Sequence, residues 1–530
     1  MNTILARALL LAGVGIVPVF AGNQILLRNF NSSDGTPTVI AAGASGQLYV
    51  ASQLLPTPTT QITRVVELDL NGTRLASIDL PPMSYPNAAV VDAKGDLIVA
   101  GENQTYQGIV VKIDPQLATA TTLASLPATL SAIALDGAGN IYVTGDTSSA
   151  SFPVTAGAYQ TTPPYNGNPE LPTYGYATYA FVSEVSPSGT LLYSTYFGSD
   201  ATACNGGSFC INKFGTTYGT AIAVDASGGV VIAGTTTSNG LPTTAGVLAP
   251  TCVCGYNYSY GEGINSGFIA KFRPSAAQQL QWSTFLNATY SLFTLTLSDM
   301  ALDSSGNAIV GGNADTGLPT TAGAFQLPAG SNPTGGGYLL KVNSTGTAVI
   351  WGTYFDGAVP AVLVDSVGRV VISGYTGIAQ AAGPVFLSFV GRVTGDGSTL
   401  SDFYQGPEVY NMVRPPALAV TSTGGFASLV ASGALWIETL SPGPSLLNVA
   451  NSASGQYADS IGPVELITLY GVGIGPQTSL DGQVKGGITR RRWVDIRCCS
   501  TASPCRCSMR IRDRSMRSCR AGSADLRTFR

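Results

Sequence analysis

A strand–turn–strand pattern recurs along this chain in register. It reads VVDAKGDLIVAG (Val90 to Gly101), ALDGAGNIYVTG (Ala134 to Gly145), AVDASGGVVIAG (Ala223 to Gly234), ALDSSGNAIVGG (Ala301 to Gly312) and LVDSVGRVVISG (Leu363 to Gly374). Weaker copies, AAGASGQLYVAS from Ala41 and AVTSTGGFASLV from Ala419, bring the number to seven. In each, alternating apolar residues flank an Asp-x-x-Gly turn whose glycine can take positive φ, so each copy predicts a hairpin. Asp92, Asp136, Asp225, Asp303 and Asp365 are expected to hydrogen-bond their own turns, with Gly95, Gly139, Gly228, Gly306 and Gly368 closing them. One carboxylate per turn lacks the alternating oxygen ligands of a calcium loop.

A third strand follows each hairpin, as in IVVKIDP from Ile109, AFVSEVSPSGT from Ala180, GFIAKFRP from Gly267 and YLLKVNSTGT from Tyr338. Several copies continue into a fourth: LLYSTYFG from Leu191, LQWSTFL from Leu280 and AVIWGTYF from Ala348. Four strands per repeat is a propeller blade, so the expected fold is an all-β propeller of seven four-stranded blades. The 64 glycines, 31 prolines and only 11% charged residues suit many short strands and tight turns. The last copy lacks a fourth strand near Leu440, while QILLRNF (Gln24 to Phe30) is a strand without a repeat of its own. The N-terminal strand is therefore expected to complete the last blade and leave the ring without a free edge.

The chain opens with Arg7 followed by an apolar run from Ala8 to Phe20 and small residues before Gly22. This reads as a signal peptide over 1–21, cleaved after Ala21, with no transmembrane anchor left afterwards. The expected location is exported: periplasmic, secreted or cell-surface. There is no histidine in the 530 residues, which excludes histidine-dependent catalysis. No cofactor and no metal site is expected.

The unit from Asp136 to Thr147, Phe152 to Ala158 and Phe181 to Gly198, with LPTTAGVL from Leu241 and LPTTAGAF from Leu318 repeating its middle part, resembles the SBBP-type β-propeller repeat of exported bacterial proteins. The resemblance covers most of 22–445 and implies a fold and an exported context, not one activity. Residues 446–484 open like the small β-sandwich TIG-like module that often follows such propellers, here incomplete. Residues 485–530 turn Arg- and Cys-rich, holding 13 of the 26 basic residues and three of the 30 acidic ones, so this tail carries +10 and the rest of the chain −14. Three readings stand for it: a basic patch for nucleic acid or an anionic surface, metal or disulfide cysteines (Cys498, Cys499, Cys505, Cys507, Cys519), or a disordered or frameshift-derived end. The negative charge of the propeller argues against nucleic acid as its partner.

In an up-and-down blade the first and third turns share one face, and the second loop and the link to the next blade share the other. The Asp-x-x-Gly turns fall on the first. The long insertions at 161–179, 199–217, 249–266 and 327–336 fall on the second, from blades three to five, as one lopsided rim. There Tyr165, Tyr174, Tyr176, Tyr256, Tyr258 and Tyr260, with Glu262, are candidate ligand contacts, since tyrosine offers a rigid face with a polar tip. Packing of these rings onto the blades is the alternative. Cys204, Cys210, Cys252 and Cys254 are candidate disulfide cysteines; pairing between the two loops would clamp the rim, whereas a Cys252 to Cys254 bridge would be strained. Lys112, Lys271 and Lys341 occupy equivalent strand positions, where a stem can be buried with its charge left in water. The functional expectation is a noncatalytic exported scaffold binding a glycan or protein through this rim. Its alternatives are a carboxylate-dependent glycan hydrolase or lyase, for which Glu170 and Glu262 are the acidic residues in the insertions, and a purely structural surface repeat protein.

Overall fold

The computed structural model describes residues 25–29 and 33–451, apart from 58, 164–176, 200–214, 258–261, 288–294, 315–316, 326–335, 356, 381–382, 409–416, 422–424, 430–433 and 439–444, and beyond these the segments 466–472, 494–498 and 505–511. Every regular element among them is a strand. Six antiparallel four-stranded sheets follow one another in chain order. Blade one is Thr36–Ala42, Leu48–Thr57, Thr60–Leu68 and Arg74–Leu80; blade two is Tyr85–Val91, Leu97–Glu102, Gly108–Ile113 and Ala120–Leu126. Blade three is Thr129–Leu135, Ile141–Thr147, Tyr179–Val185 and Leu191–Phe197; blade four is Thr217–Val224, Val230–Thr236, Ser266–Phe272 and Leu280–Leu286. Blade five is Thr296–Leu302, Ala308–Ala314, Gly336–Val342 and Val349–Phe355; blade six is Ala358–Val364, Val370–Gln380, Gly383–Val393 and Leu400–Glu408.

The seventh sheet joins Ala417–Val420, Phe426–Leu429 and Ala434–Glu438 to Ile25–Asn29. The N-terminal strand lies antiparallel on the outside of the last blade, Leu27 opposite Trp436, as its lack of a repeat of its own suggested. First strands of successive blades touch in turn, and that of blade seven meets that of blade one, so the ring is closed.

The core is a set of apolar layers, each shared by two neighbouring blades. Along the second strand of blade four, Val230 and Ile232 pack with blade three while Val231 and Ala233 pack with blade five. This two-sided burial is why second strands read as unbroken apolar runs instead of alternating ones. Each fully buried Val or Ile there stabilises the ring by roughly 1.5–3 kcal/mol relative to exposure.

Polar latches reinforce these layers at bulges in the first strands. Pairing shifts at Pro37/Val39, Pro86/Ala88 and Gly219/Ala221 turn the extra residue toward the next blade. Thr38 Oγ1 donates to Pro86 O at 3.0 Å, Asn87 Nδ2 to Leu130 O at 2.9 Å and Thr220 Oγ1 to Leu297 O at 2.9 Å. In blade five the direction reverses: Asp299 Oδ2 accepts from the backbone N–H of Val362 in blade six at 2.9 Å.

The recurrent segments Phe152–Ala158, Leu241–Leu248 and Leu318–Phe325 run along the outer strands of their own blades. Thr155 N donates to Ser194 O at 3.0 Å, Thr244 N to Ser283 O at 3.2 Å and Thr321 N to Gly352 O at 3.1 Å. Each threonine hydroxyl accepts from the same strand, Thr155 from Ser194 N at 3.1 Å, Thr244 from Ser283 N at 3.3 Å and Thr321 from Gly352 N at 3.2 Å. The segments thus cover outer edges that would otherwise template further strands. Their leading residues, Phe152, Leu241 and Leu318, are buried beneath them. Past the ring, Ser445–Asn451, Leu466–Val472, Val494–Cys498 and Cys505–Ile511 form a further four-stranded sheet. Two of these strands belong to the Arg/Cys-rich tail, so part of that tail is described as regular strand.

Candidate functional site

On the turn face the five Asp turns engage their own carboxylates. In all five Asp turns one carboxylate oxygen accepts from the backbone N–H groups two and four residues on, at 2.8–3.1 Å. Gly95, Gly139, Gly228, Gly306 and Gly368 have φ between +75° and +88°. The second oxygen takes a cation. Lys112 Nζ lies 3.4 Å from Asp92 and 2.5 Å from Asp96, Lys271 2.6 Å from Asp225, and Lys341 2.9 Å from Asp303. These lysine charges are therefore paired with the turn, which corrects the expectation that they stay in water. Burial works to raise the Asp225 and Asp303 carboxyls, but the lysines and turn donors outweigh it and hold both below the usual range.

The exceptions follow the same logic. In blade one Gly43 stands where blades two to six have Asp, and Glu67 occupies the lysine position opposite Tyr49. In blade six Arg369, four residues after Asp365, reaches back to it at 2.7 Å. In blade three Glu184 replaces the lysine opposite Tyr142, and Asp136 Oδ2 accepts instead from Asn140 at 2.9 Å and Tyr142 at 3.3 Å. Burial, then the carboxylates of Glu184 and Asp136, pushes the Tyr142 hydroxyl far up. Among the described residues no three His, Cys, Asp or Glu side chains cluster as a metal site.

On the opposite face every insertion leaves a second strand or a blade-to-blade link, as the repeat phase requires. Tyr165, Glu170, Tyr174, Tyr176, Cys204, Cys210, Tyr258 and Tyr260 lie outside the described residues. Tyr256 and Glu262 sit on a short hairpin, Gly255–Asn257 with Glu262–Ile264, where Asn257 faces Glu262 and Tyr256 faces Gly263. At its base Cys252 is bonded to Cys254, a bridge within the loop. Asn287 ties this base to the blade by donating to Thr251 O at 2.8 Å and accepting from Val253 N at 3.1 Å and Ser266 Oγ at 3.0 Å. The ends of the blade-three insertions are knitted to blade four: Thr217 N donates to Thr178 O at 2.8 Å and Thr237 N to Thr216 O at 2.9 Å.

A second group on this face lies outside the rim that the insertions define. Glu102 ends the second strand of blade two, opposite Tyr85, and is 8% exposed. Asn87 Nδ2 donates to its Oε1 at 3.1 Å. Asp146 holds the equivalent position in blade three. Burial, then the charge of Glu102, pushes the Asp146 carboxyl up to about 6, and burial raises Glu102 as well. Tyr106, in the turn after Glu102, stacks on Tyr85 with centroids 5.7 Å apart and planes at 15°, and is 65% exposed. Repeat comparison misses this group because the position after each second-strand Gly varies freely: Glu102, Asp146, Thr235, Asn313 and Tyr375.

With this geometry in hand, comparison with known proteins gives one family match: the SBBP beta-propeller repeat, over residues 129–153, which is the first hairpin of blade three and the start of its edge-covering segment. No curated protein matches the chain. Solved structures that match include a protein of unknown function from Bacteroides caccae (14% identity, 64% of this chain and 85% of that one, TM-score 0.28). Two others are the beta-propeller domain of the Trilobed protease from Pyrococcus furiosus, described as having an open velcro topology (9%, 72% and 96%, TM-score 0.35), and the acylaminoacyl peptidase of Pyrococcus horikoshii (8%, 83% and 58%, TM-score 0.34). At these scores the likenesses carry no argument about activity.

Proposed function

We propose that this chain is an exported, noncatalytic β-propeller scaffold that binds a glycan or a protein through the long loops of blades three to five. The observation that carries this reading is the contrast between the two faces. On the turn face each of the five turn aspartates is engaged by its own backbone and a neighbouring side chain. On the other face adjacent blades send out Tyr-rich insertions from firmly anchored bases, the arrangement in which loops on a rigid scaffold carry binding. The apolar run from Ala8 to Phe20 behind Arg7 supports export by a cleaved leader, and residues 446–484 support the opening of a TIG-like module. No helix among the described residues is long and apolar enough to cross a membrane.

Glycan and protein arrays probed with the purified chain, beside a variant carrying alanine at Tyr256, Tyr258 and Tyr260, test the reading. Binding that the triple variant loses supports the rim; identical profiles overturn it. The carboxylate-hydrolase or lyase alternative, for which Glu170 and Glu262 are the acidic residues of the insertions, requires cleavage products to appear during incubation with an oligosaccharide.

A further inference from the structure

Tyr106 is one of two non-glycine residues with positive φ among the described residues, at 58°, in a turn of the same hydrogen-bond pattern as the Asp-x-x-Gly turns, which place glycine there. An aromatic residue there holds a left-handed backbone at a cost of roughly 1–2 kcal/mol. Its backbone N–H donates to Asn103 O at 3.0 Å, which fixes the turn, and the ring lies on Tyr85 with most of its surface in water. The result is a rigid two-ring platform. Beside it, Glu102 shares the sheet face of Tyr85, because cross-strand partners project side by side. Asn87 bridges from Glu102 to Leu130 O, drawing the first strand of blade three alongside.

The charge balance distinguishes this corner. Asp92, Asp225, Asp303 and Asp365 each face a Lys or Arg. Among the described residues neither Glu102 nor Asp146 has a cationic partner, although burial makes their charges costly. On the elements packed around them, the charged groups are Lys112, at the far end of its strand with Asp92 and Asp96, Glu184, beside Tyr142 at the turn end of blade three, and Glu67 and Arg64 of Thr60–Leu68, Arg64 being paired with Asp79 at 2.6 Å.

We propose that Tyr106, Tyr85, Glu102 and Asp146 form a binding subsite for an amino sugar of a glycan, the pyranose ring stacking on Tyr106 and its ammonium group meeting the two carboxylates. An aromatic platform matches the flat C–H face of a sugar ring, and a charge pair set to one side of it matches an amino substituent on that ring. A lysine side chain would satisfy the carboxylates and leave the platform bare. This subsite uses Tyr85, Glu102 and Tyr106 of blade two and Asp146 of blade three, none of them in the Tyr256 loop, so it stands or falls separately from that loop.

Calorimetric titration of the full chain at pH 7 with a β-1,4-linked glucosamine hexamer tests it, with the N-acetylated hexamer, cellohexaose and a lysine hexapeptide as comparators. The glucosamine hexamer is expected to bind at least tenfold more tightly than any comparator. Tyr106→Gly deletes the ring while easing the backbone, and Glu102→Gln removes the charge while keeping the shape; each is expected to weaken binding at least tenfold with unchanged thermal unfolding or better. The Tyr256, Tyr258 and Tyr260 alanine variant is expected to bind the hexamer as the parent does. Equal binding of the neutral hexamers, preference for the peptide, no binding of the glucosamine hexamer, or full affinity in Tyr106→Gly overturns the proposal.

Discussion

The indole of Trp282, on the outer strand of blade four, fills the space in which Gly346 of blade five would carry a β-carbon, and its Nε1 donates to Ser344 O at 2.9 Å. Trp351 repeats the relationship one blade on, against Gly397 and with Nε1 donating to Gly395 O at 3.1 Å. Gly346 has φ of +71°. Gly346→Ala therefore meets both a disfavoured backbone and an occupied site, and is expected to cost roughly 2–4 kcal/mol. Urea unfolding followed by tryptophan emission checks this; an unchanged midpoint would refute the seat assigned to Trp282.

Asp225 performs two tasks, and two substitutions separate them. Asp225→Asn keeps a carbonyl oxygen for the Ser227 and Gly229 N–H groups but strips the partner from Lys271. Asp225→Ala loses both and is expected to cost about 1–2 kcal/mol more than Asn. With its folded pKa held below the unfolded value near ~3.9, Asp225 contributes stability that is complete above the unfolded pKa and is lost as pH falls toward the folded one. The parent's unfolding midpoint should therefore drop more steeply than that of Asp225→Asn below about pH 4.

Asp146 has the opposite sign. Its folded pKa, raised to about 6, means the native state holds the proton more tightly, so the contribution is fully present below the unfolded pKa and is lost as pH rises through about 6. Asp146→Asn is expected to be more stable than the parent at pH 7.5 by up to roughly 3 kcal/mol, and equal to it near pH 4. Calorimetric midpoints at the two pH values decide; a constant difference between parent and variant would contradict the shift.

Removal of residues 25–29 leaves blade seven with three strands and exposes the edge of Ala434–Glu438. The truncated chain is expected to unfold at lower temperature and to self-associate. A synthetic peptide spanning 24–30 is expected to restore the midpoint toward the full-length value. Analytical ultracentrifugation with calorimetry checks both outcomes, and a truncated chain that stays monomeric at the parental midpoint would contradict closure by this strand.

The ring was legible because its signal repeats: the Asp-x-x-Gly turns fix strand phase, and phase fixes which loops share a face. Closure was legible from two incomplete ends, QILLRNF and the strandless end of the last copy. The lysines were only half legible. Their equivalence shows in the sequence, but their partners lie some 20–46 residues away on a neighbouring hairpin, as for Lys112 with Asp92 and Lys271 with Asp225. The edge-covering role of Phe152–Ala158 was hidden for another reason. Irregular segments have no period, and the Thr155 to Ser194 pairing spans an insertion of unconstrained length. The Glu102 corner was the least visible, since it exists only through adjacency of blades two and three at a position where the repeats disagree.

The pairing of Leu27 with Trp436 sets an order of events during synthesis. The strand that shuts the circle is made first, and the hairpin it joins is made after more than four hundred further residues. Until then each growing assembly of blades has an unfinished rim at one end and an unattached leading strand at the other. Long-range pairing of this kind is slow and exposes sticky intermediates to their neighbours. A chain built in this way cannot close its ring until its last hairpin has been made, however early the rest of its blades form.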